Sequence, residues 1–211
     1  MLHIIKDAIP KEEREEWIRL IRDLDYDSYE YKKEYWQGGG ISNQFMNMPP
    51  HVLDRIQEMS NLHVKEISDV YHTKLQEQGE GWFVRIHRYG EGDLLPNHWD
   101  NMHNKTLKQI AVSAVFYWNE DYDGGELVFP NLGIQYSPKA GDLVCFPPNE
   151  LWSHQVNPII KGWRFTTPFF YNEDERVLAK RLGLEHLLNS EGVLDLSSMD
   201  KKEEVRTEIG L

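Results

Sequence analysis

Two stretches decide how this chain is read: Y-G-E-G-D-L-L-P-N-H-W-D-N at residues 89–101 and W-S-H-Q-V-N-P-I-I-K-G-W-R at residues 152–164. Around them lie short runs rich in β-branched and aromatic residues. These are W-F-V-R-I-H-R-Y (82–89), I-A-V-S-A-V-F-Y-W (110–118), G-E-L-V-F-P (125–130), D-L-V-C-F-P (142–147) and W-R-F-T-T-P-F-F-Y (163–171). Turn signals separate them: D-Y-D-G-G (121–125), N-L-G (131–133), P-K-A-G-D (138–142) and N-P-I-I-K-G (157–162). Strands at this spacing predict a sandwich or a barrel.

Outward from this core the texture turns helical. Residues 2–5 read as a short strand. Pro10 then opens a helix where its missing N–H costs nothing, with Glu12, Glu13, Glu15 and Glu16 in the early turns and Trp17, Leu20, Ile21 and Leu24 at helical spacing. Pro49-Pro50 open a second helical region to about Gln78, with Leu53, Ile56, His63, Ile67 and Val70 as its buried stripe and a break expected at Asn61. Between the helices, Tyr26, Tyr29, Tyr31, Tyr35 and Trp36 precede Gly38-Gly39-Gly40. Residues 25–48 therefore read either as a surface hairpin or as a candidate lid closing over a substrate. A last helix is expected after Asn172, followed by a charged tail. The fold class is α+β with a mainly β core, read as one domain over 1–211. Residues 1–80 are helical support, 81–171 the β core and 172–211 a helix and tail.

The 211 residues are enough to bury a sizeable core. Net charge is −12, from 23 basic and 35 acidic residues, which argues against nucleic acid or an anionic membrane as partner. The single cysteine, Cys145, excludes an intramolecular disulfide and reads as a buried inert thiol. The N-terminus lacks the layout of a signal peptide, and no apolar run approaches the roughly 20 residues of a bilayer span. A soluble, reducing compartment such as the cytoplasm is the expectation.

His98 and Asp100 carry the chemistry. On a strand, side chains two apart share a face, so an imidazole and a carboxylate would stand side by side. A third ligand from a later strand would complete a two-His, one-carboxylate triangle of the kind used by non-haem Fe(II) oxygenases. The triplet by itself is weak, since roughly one or two H-x-[DE] triplets arise by chance in a chain this acidic. The context is stronger. His98-Trp99-Asp100 is the only such triplet in the chain, and His154 is the one remaining histidine in the later strand region. Arg164 opens the last predicted strand between Trp163 and Phe165. A charge inside an aromatic strand needs an anionic partner. A dicarboxylate ligand or a structural ion pair would serve, and Thr166 shares the strand face.

These residues also carry a resemblance. H-W-D, then H-Q-V-N-P-I-I-K-G-W-R with arginine ten residues past the distal histidine, is similar to the Fe(II)/2-oxoglutarate dioxygenases, and most closely to their prolyl 4-hydroxylase-like branch. F-Y-W-N-E-D-Y-D-G-G-E-L-V-F-P, K-A-G-D-L-V-C-F and F-F-Y-N-E-D-E-R resemble the same branch, over about residues 82–180. The resemblance implies a double-stranded β-helix (jelly-roll) with supporting N-terminal helices. It implies Fe(II) on His98, Asp100 and His154, and Arg164 on the distal carboxylate of 2-oxoglutarate. Tyr89 and Tyr117 match tyrosines that contact that cosubstrate; as plain residues they would serve equally as core aromatics. The implied reaction consumes O2, releases succinate, uses ascorbate as reductant and hydroxylates a prolyl residue in a peptide or protein. Hydroxylation of a free amino acid or small metabolite on the same core is the alternative enzyme reading. An iron-free jelly-roll binding module is the alternative outside enzymes. Arginine at 164, where collagen-type relatives usually carry lysine, favours the oxygen-sensor-like and the bacterial or viral members.

Overall fold

A computed structural model describes residues 1–23, 28–29, 41–44, 50–78, 86–102 and 109–195. The strands are β1 (His3–Ile5), β2 (Ser28–Tyr29), β3 (Ile41–Gln44), β4 (Ile86–Tyr89), β5 (Leu95–His98), β6 (Ile110–Tyr117) and β7 (Tyr122–Gly124). They continue with β8 (Leu127–Phe129), β9 (Ile134–Tyr136), β10 (Leu143–Phe146), β11 (His154–Val156), β12 (Ile159–Gly162) and β13 (Arg164–Asn172). The helices are α1 (Lys11–Arg22), α2 (Pro50–Leu62), α3 (Val64–Tyr71) and α4 (Glu175–Leu182). The chain divides into two compact units, Met1–Asn172 and Glu173–Leu211.

The larger unit is a jelly-roll. Seven strands run in the order β1-β10-β6-β13-β4-β3-β2, four in the order β5-β11-β8-β9, and β12 pairs with β7 in a two-stranded ribbon. The sequence pattern of β13 explains the layering. Its alternate residues Phe165, Phe169 and Tyr171 are buried with Phe116 and Trp118 of the β6 segment and with Ile21, Ile56 and Ile67 of the helices. The other set, Arg164, Thr166, Pro168 and Phe170, lines a cavity between the seven- and four-stranded sheets. One strand with two useful faces thus separates a helix-backed core from the site, as a period of two requires. Trp118 Nε1 donates to Thr167 Oγ1 at 2.8 Å, so the buried indole N–H is satisfied.

Several local expectations needed correction. The break in the second helical region falls at His63, not Asn61. Asn61 stays helical because its side chain ties down Gln78: Oδ1 accepts from Gln78 N at 2.8 Å and Nδ2 donates to Gln78 O at 3.1 Å. His63 instead leaves helical geometry, and its Nε2 lies 2.7 Å from Ala8 O. Strands β5, β7, β9, β11 and β12 are too short, or too broken by Pro and Gly, to stand out as runs. Pro96 sits within β5 because β5 is an edge strand. Cys145 is fully buried, and burial pushes its thiol far up, which keeps it inert. The triple glycine and most of 25–48, proposed as a lid, lie outside the described residues; β2 and β3, which flank it, join the seven-stranded sheet next to β4.

In the smaller unit, the Asp174 side chain caps α4 by accepting from Arg176 N and Val177 N, and Gly183 ends it at φ 70°. Leu178, Ala179 and Leu194 form its own small core.

Candidate metal and dicarboxylate site

All six residues singled out by sequence, Tyr89, His98, Asp100, Tyr117, His154 and Arg164, line one cavity of about 190 Å³. His98 ends β5 and His154 opens β11, and the two strands pair with these residues directly opposite one another. Their rings stand 4.3 Å apart. Asp100 Oδ1 lies 3.6 Å from His98 Nε2 and 4.0 Å from His154 Nε2. Among the described residues this is the only group of three such side chains close enough to hold one metal ion, with all ligand atoms within 4.8 Å of each other.

Asp100 is not on the strand, contrary to the i, i+2 argument: β5 stops at His98. Its carboxylate is aimed instead by Ser113 of β6, whose hydroxyl donates to Oδ2 at 2.5 Å and leaves Oδ1 toward the imidazoles. The histidines are oriented from behind as well. His98 Nδ1 lies 2.8 Å from Pro96 O and His154 Nδ1 lies 3.2 Å from Trp152 O. A carbonyl can only accept, so the proton sits on Nδ1 and the ligand lone pair on Nε2, the arrangement typical of metal-binding histidines. Burial pushes the His154 imidazole down to about 4 against the pull of Asp100, so it is a neutral donor. Burial alone would raise Asp100, but its interactions with the neighbouring His98 and His154 and the hydrogen bond from Ser113 outweigh it and hold the carboxyl below its ordinary range.

Arg164 forms the other end. It opens β13 opposite Tyr89 and is 2% exposed. The guanidinium carbon sits 4.6 Å from the Tyr89 ring centre and 5.0 Å from that of Tyr117. Nη2 donates to Tyr117 Oη at 3.3 Å, while Nε and Nη1 are buried with no hydrogen-bond partner among the described residues. No acidic side chain pairs with it there, so the structural ion pair weighed from sequence is absent among the described residues. Each unpaired buried donor costs about 1–3 kcal/mol, more when charged. A buried fork of this kind is arranged for a carboxylate. Thr166 lines the same wall, as does His87, its partner across β4 and β13.

Two residues that touch the site's side chains escaped the sequence reading. Ser113 left one trace, a lone hydroxyl in the apolar run of β6. Tyr122 left none, because its neighbour Arg164 lies far along the chain. Gly125 explains their closeness: a Cβ there, at φ +67°, would come within 3.1 Å of Arg164 Cδ and 3.3 Å of Tyr122 Cε2.

Comparison with known proteins agrees with this geometry. Residues 84–172 match the model of the 2OG-Fe(II) oxygenase superfamily. Fold and site agree with that match: residues 84–172 are similar to a 2OG-Fe(II) oxygenase domain, and the jelly-roll is the fold of solved members of that family and of a prolyl-4-hydroxylase. A PKHD-type hydroxylase of Delftia acidovorans is 30% identical over 95 residues, 41% of each chain, and one of Cupriavidus metallidurans is 31% identical over 126 residues, 56% of this chain and 54% of the relative. The chain thus spans about half or less of the curated relatives it matches. Among solved structures, a prolyl-4-hydroxylase of Pseudomonas putida aligns with a TM-score of 0.62 at 20% identity, over 82% of this chain and 92% of that one. At that identity the likeness concerns the fold. The family chemistry implies Fe(II), 2-oxoglutarate and O2. Among the described residues no helix is long and apolar enough to cross a membrane.

Proposed function

We propose that this protein is an Fe(II)- and 2-oxoglutarate-dependent hydroxylase acting on a prolyl residue in a peptide or protein. One observation carries the reading: a two-His, one-carboxylate triangle and a buried arginine with unpaired donors face the same cavity. In this reading His98 Nε2, His154 Nε2 and Asp100 Oδ1 hold Fe(II), and Arg164 with Tyr117 holds the distal carboxylate of 2-oxoglutarate. The donor set suits ferrous iron, because neutral imidazoles and one carboxylate leave adjacent coordination positions open. Bound iron supplies O2 activation, coupled to decarboxylation of 2-oxoglutarate to succinate, with ascorbate as reductant.

The chain's own residues do the rest. Arg164 orients the cosubstrate through a charge-assisted pair. The Tyr117 hydroxyl, kept neutral by burial, can donate to the same carboxylate. Leu95, Val115, Leu127, Phe146 and Val156 wall the cavity with apolar surface and keep water from it. The prolyl assignment draws on the quoted resemblance and on the fold neighbour named as a prolyl-4-hydroxylase. The test is incubation with Fe(II), 2-oxoglutarate, O2 and a panel of proline-containing peptides, followed by mass spectrometry. The expected result is the gain of one oxygen atom on proline, matched by succinate. Succinate formation driven by a free amino acid but by no peptide would overturn the prolyl assignment.

A further inference from the structure

Tyr122 stands at the head of β7, in the ribbon that β7 forms with β12, and pairs with Gly162 two residues before Arg164. Its hydroxyl is buried and has no hydrogen-bond partner among the described residues. Arg164 Nε and Nη1 are in the same condition. These atoms are neighbours: the arginine acts on the phenol by its charge and through a side-chain contact that falls short of hydrogen-bond geometry, and the glycine at 125 lets the two side chains close together. Three unsatisfied buried polar atoms at one point are costly unless something completes them. Tyr89 and Tyr117 cover the guanidinium with their rings and line the cavity, whereas Tyr122 does not line it. Tyr122 therefore reaches the arginine from outside the ring of residues that lines the cavity. Burial pushes its phenol up to about 12, so it stays neutral and its oxygen can accept.

We propose that Tyr122 is a positioning residue for Arg164, its hydroxyl accepting from the guanidinium edge that Tyr117 does not take and holding the fork toward the cavity. A small rotation of the guanidinium as it engages a carboxylate brings an N–H onto the Tyr122 oxygen and satisfies both. This inference rests on the reading of Arg164 as the anchor of a dicarboxylate.

The test is calorimetric titration of Mn(II)-loaded protein, without O2, with 2-oxoglutarate and with 2-oxobutanoate. The second ligand has the same 2-oxo acid head and lacks the distal carboxylate. Tyr122→Phe should weaken 2-oxoglutarate roughly tenfold, the worth of one hydrogen bond to a charged group. It should leave 2-oxobutanoate and the melting temperature unchanged. In an Arg164→Ala background the same substitution should cause no further loss. An unchanged 2-oxoglutarate affinity, or equal weakening of both ligands, would overturn the role of Tyr122 while leaving the anchor standing. Wild-type protein that binds 2-oxoglutarate no better than 2-oxobutanoate would overturn the anchor and this inference with it.

Discussion

At the scale of single residues, the site is built from side chains whose second atoms are already spoken for. His98 and His154 spend Nδ1 on backbone carbonyls and Asp100 spends Oδ2 on Ser113, so Nε2, Nε2 and Oδ1 converge. Ser113→Ala removes only the last of these ties. It should lower Mn(II) affinity by roughly 10- to 100-fold, as loss of a ligand-orienting hydrogen bond does, whereas Asp100→Ala should abolish binding. Paramagnetic titration of both variants checks this, and Ser113→Ala binding like wild type would show that Asp100 needs no such support. Arg164→Ala should raise the 2-oxoglutarate requirement by two orders of magnitude or so while leaving the fold intact, because it removes a charge-assisted pair worth about 1.5–3 kcal/mol. Progress curves over a range of 2-oxoglutarate concentrations read this directly. Arg164 was legible in the sequence because a charge in an aromatic strand is conspicuous. Ser113 and Tyr122 were not, since a serine or tyrosine in a strand is ordinary until its partner is known.

At the scale of elements, the G-G-E-L turn between β7 and β8 is tuned for closeness. Gly124 has φ +79°, and a Cβ there would come within 2.3 Å of Pro158 O, a backbone atom that cannot swing aside. Left-handed geometry alone costs an L-residue about 1–2 kcal/mol. Gly124→Ala should therefore destabilise by more than that and loosen the β7–β12 ribbon. Urea denaturation gives the loss, and a variant within 0.5 kcal/mol of wild type, the usual scatter of surface substitutions, would contradict the account. The strands the sequence displayed are those with long apolar runs, β6 and β13 above all. The ones it hid, β5, β11 and β12, are short and carry Pro, His or Gly. Two of these, β5 and β11, present the histidines, because the edge of a site must hold polar residues that spoil the hydrophobic pattern.

At the scale of the larger unit, helices and site sit on opposite faces of one sheet. Ile56 of α2 and Ile67 of α3 are buried against its outer face with Phe116, Trp118 and Phe169. Ile67→Ala should cost about 2–5 kcal/mol by opening a cavity in that core. It should leave the affinity of the folded protein for 2-oxoglutarate unchanged, since the opposite face of the sheet carries the site. Thermal unfolding and calorimetry on one sample separate the two effects; a matching fall in affinity would mean the faces are coupled. By itself the sequence determined the class of fold, through strand texture and turn residues, and the identities of the three candidate ligands and the arginine, through residue types that are expensive to bury for any other reason. Only the tertiary structure decided how those residues are aimed. The register of β5 against β11 sets the two imidazoles opposite one another. A serine from β6 turns the carboxylate after its strand has ended, and glycines bring Tyr122 to Arg164. These are contacts between residues distant along the chain, and they exist only once the sheets have closed.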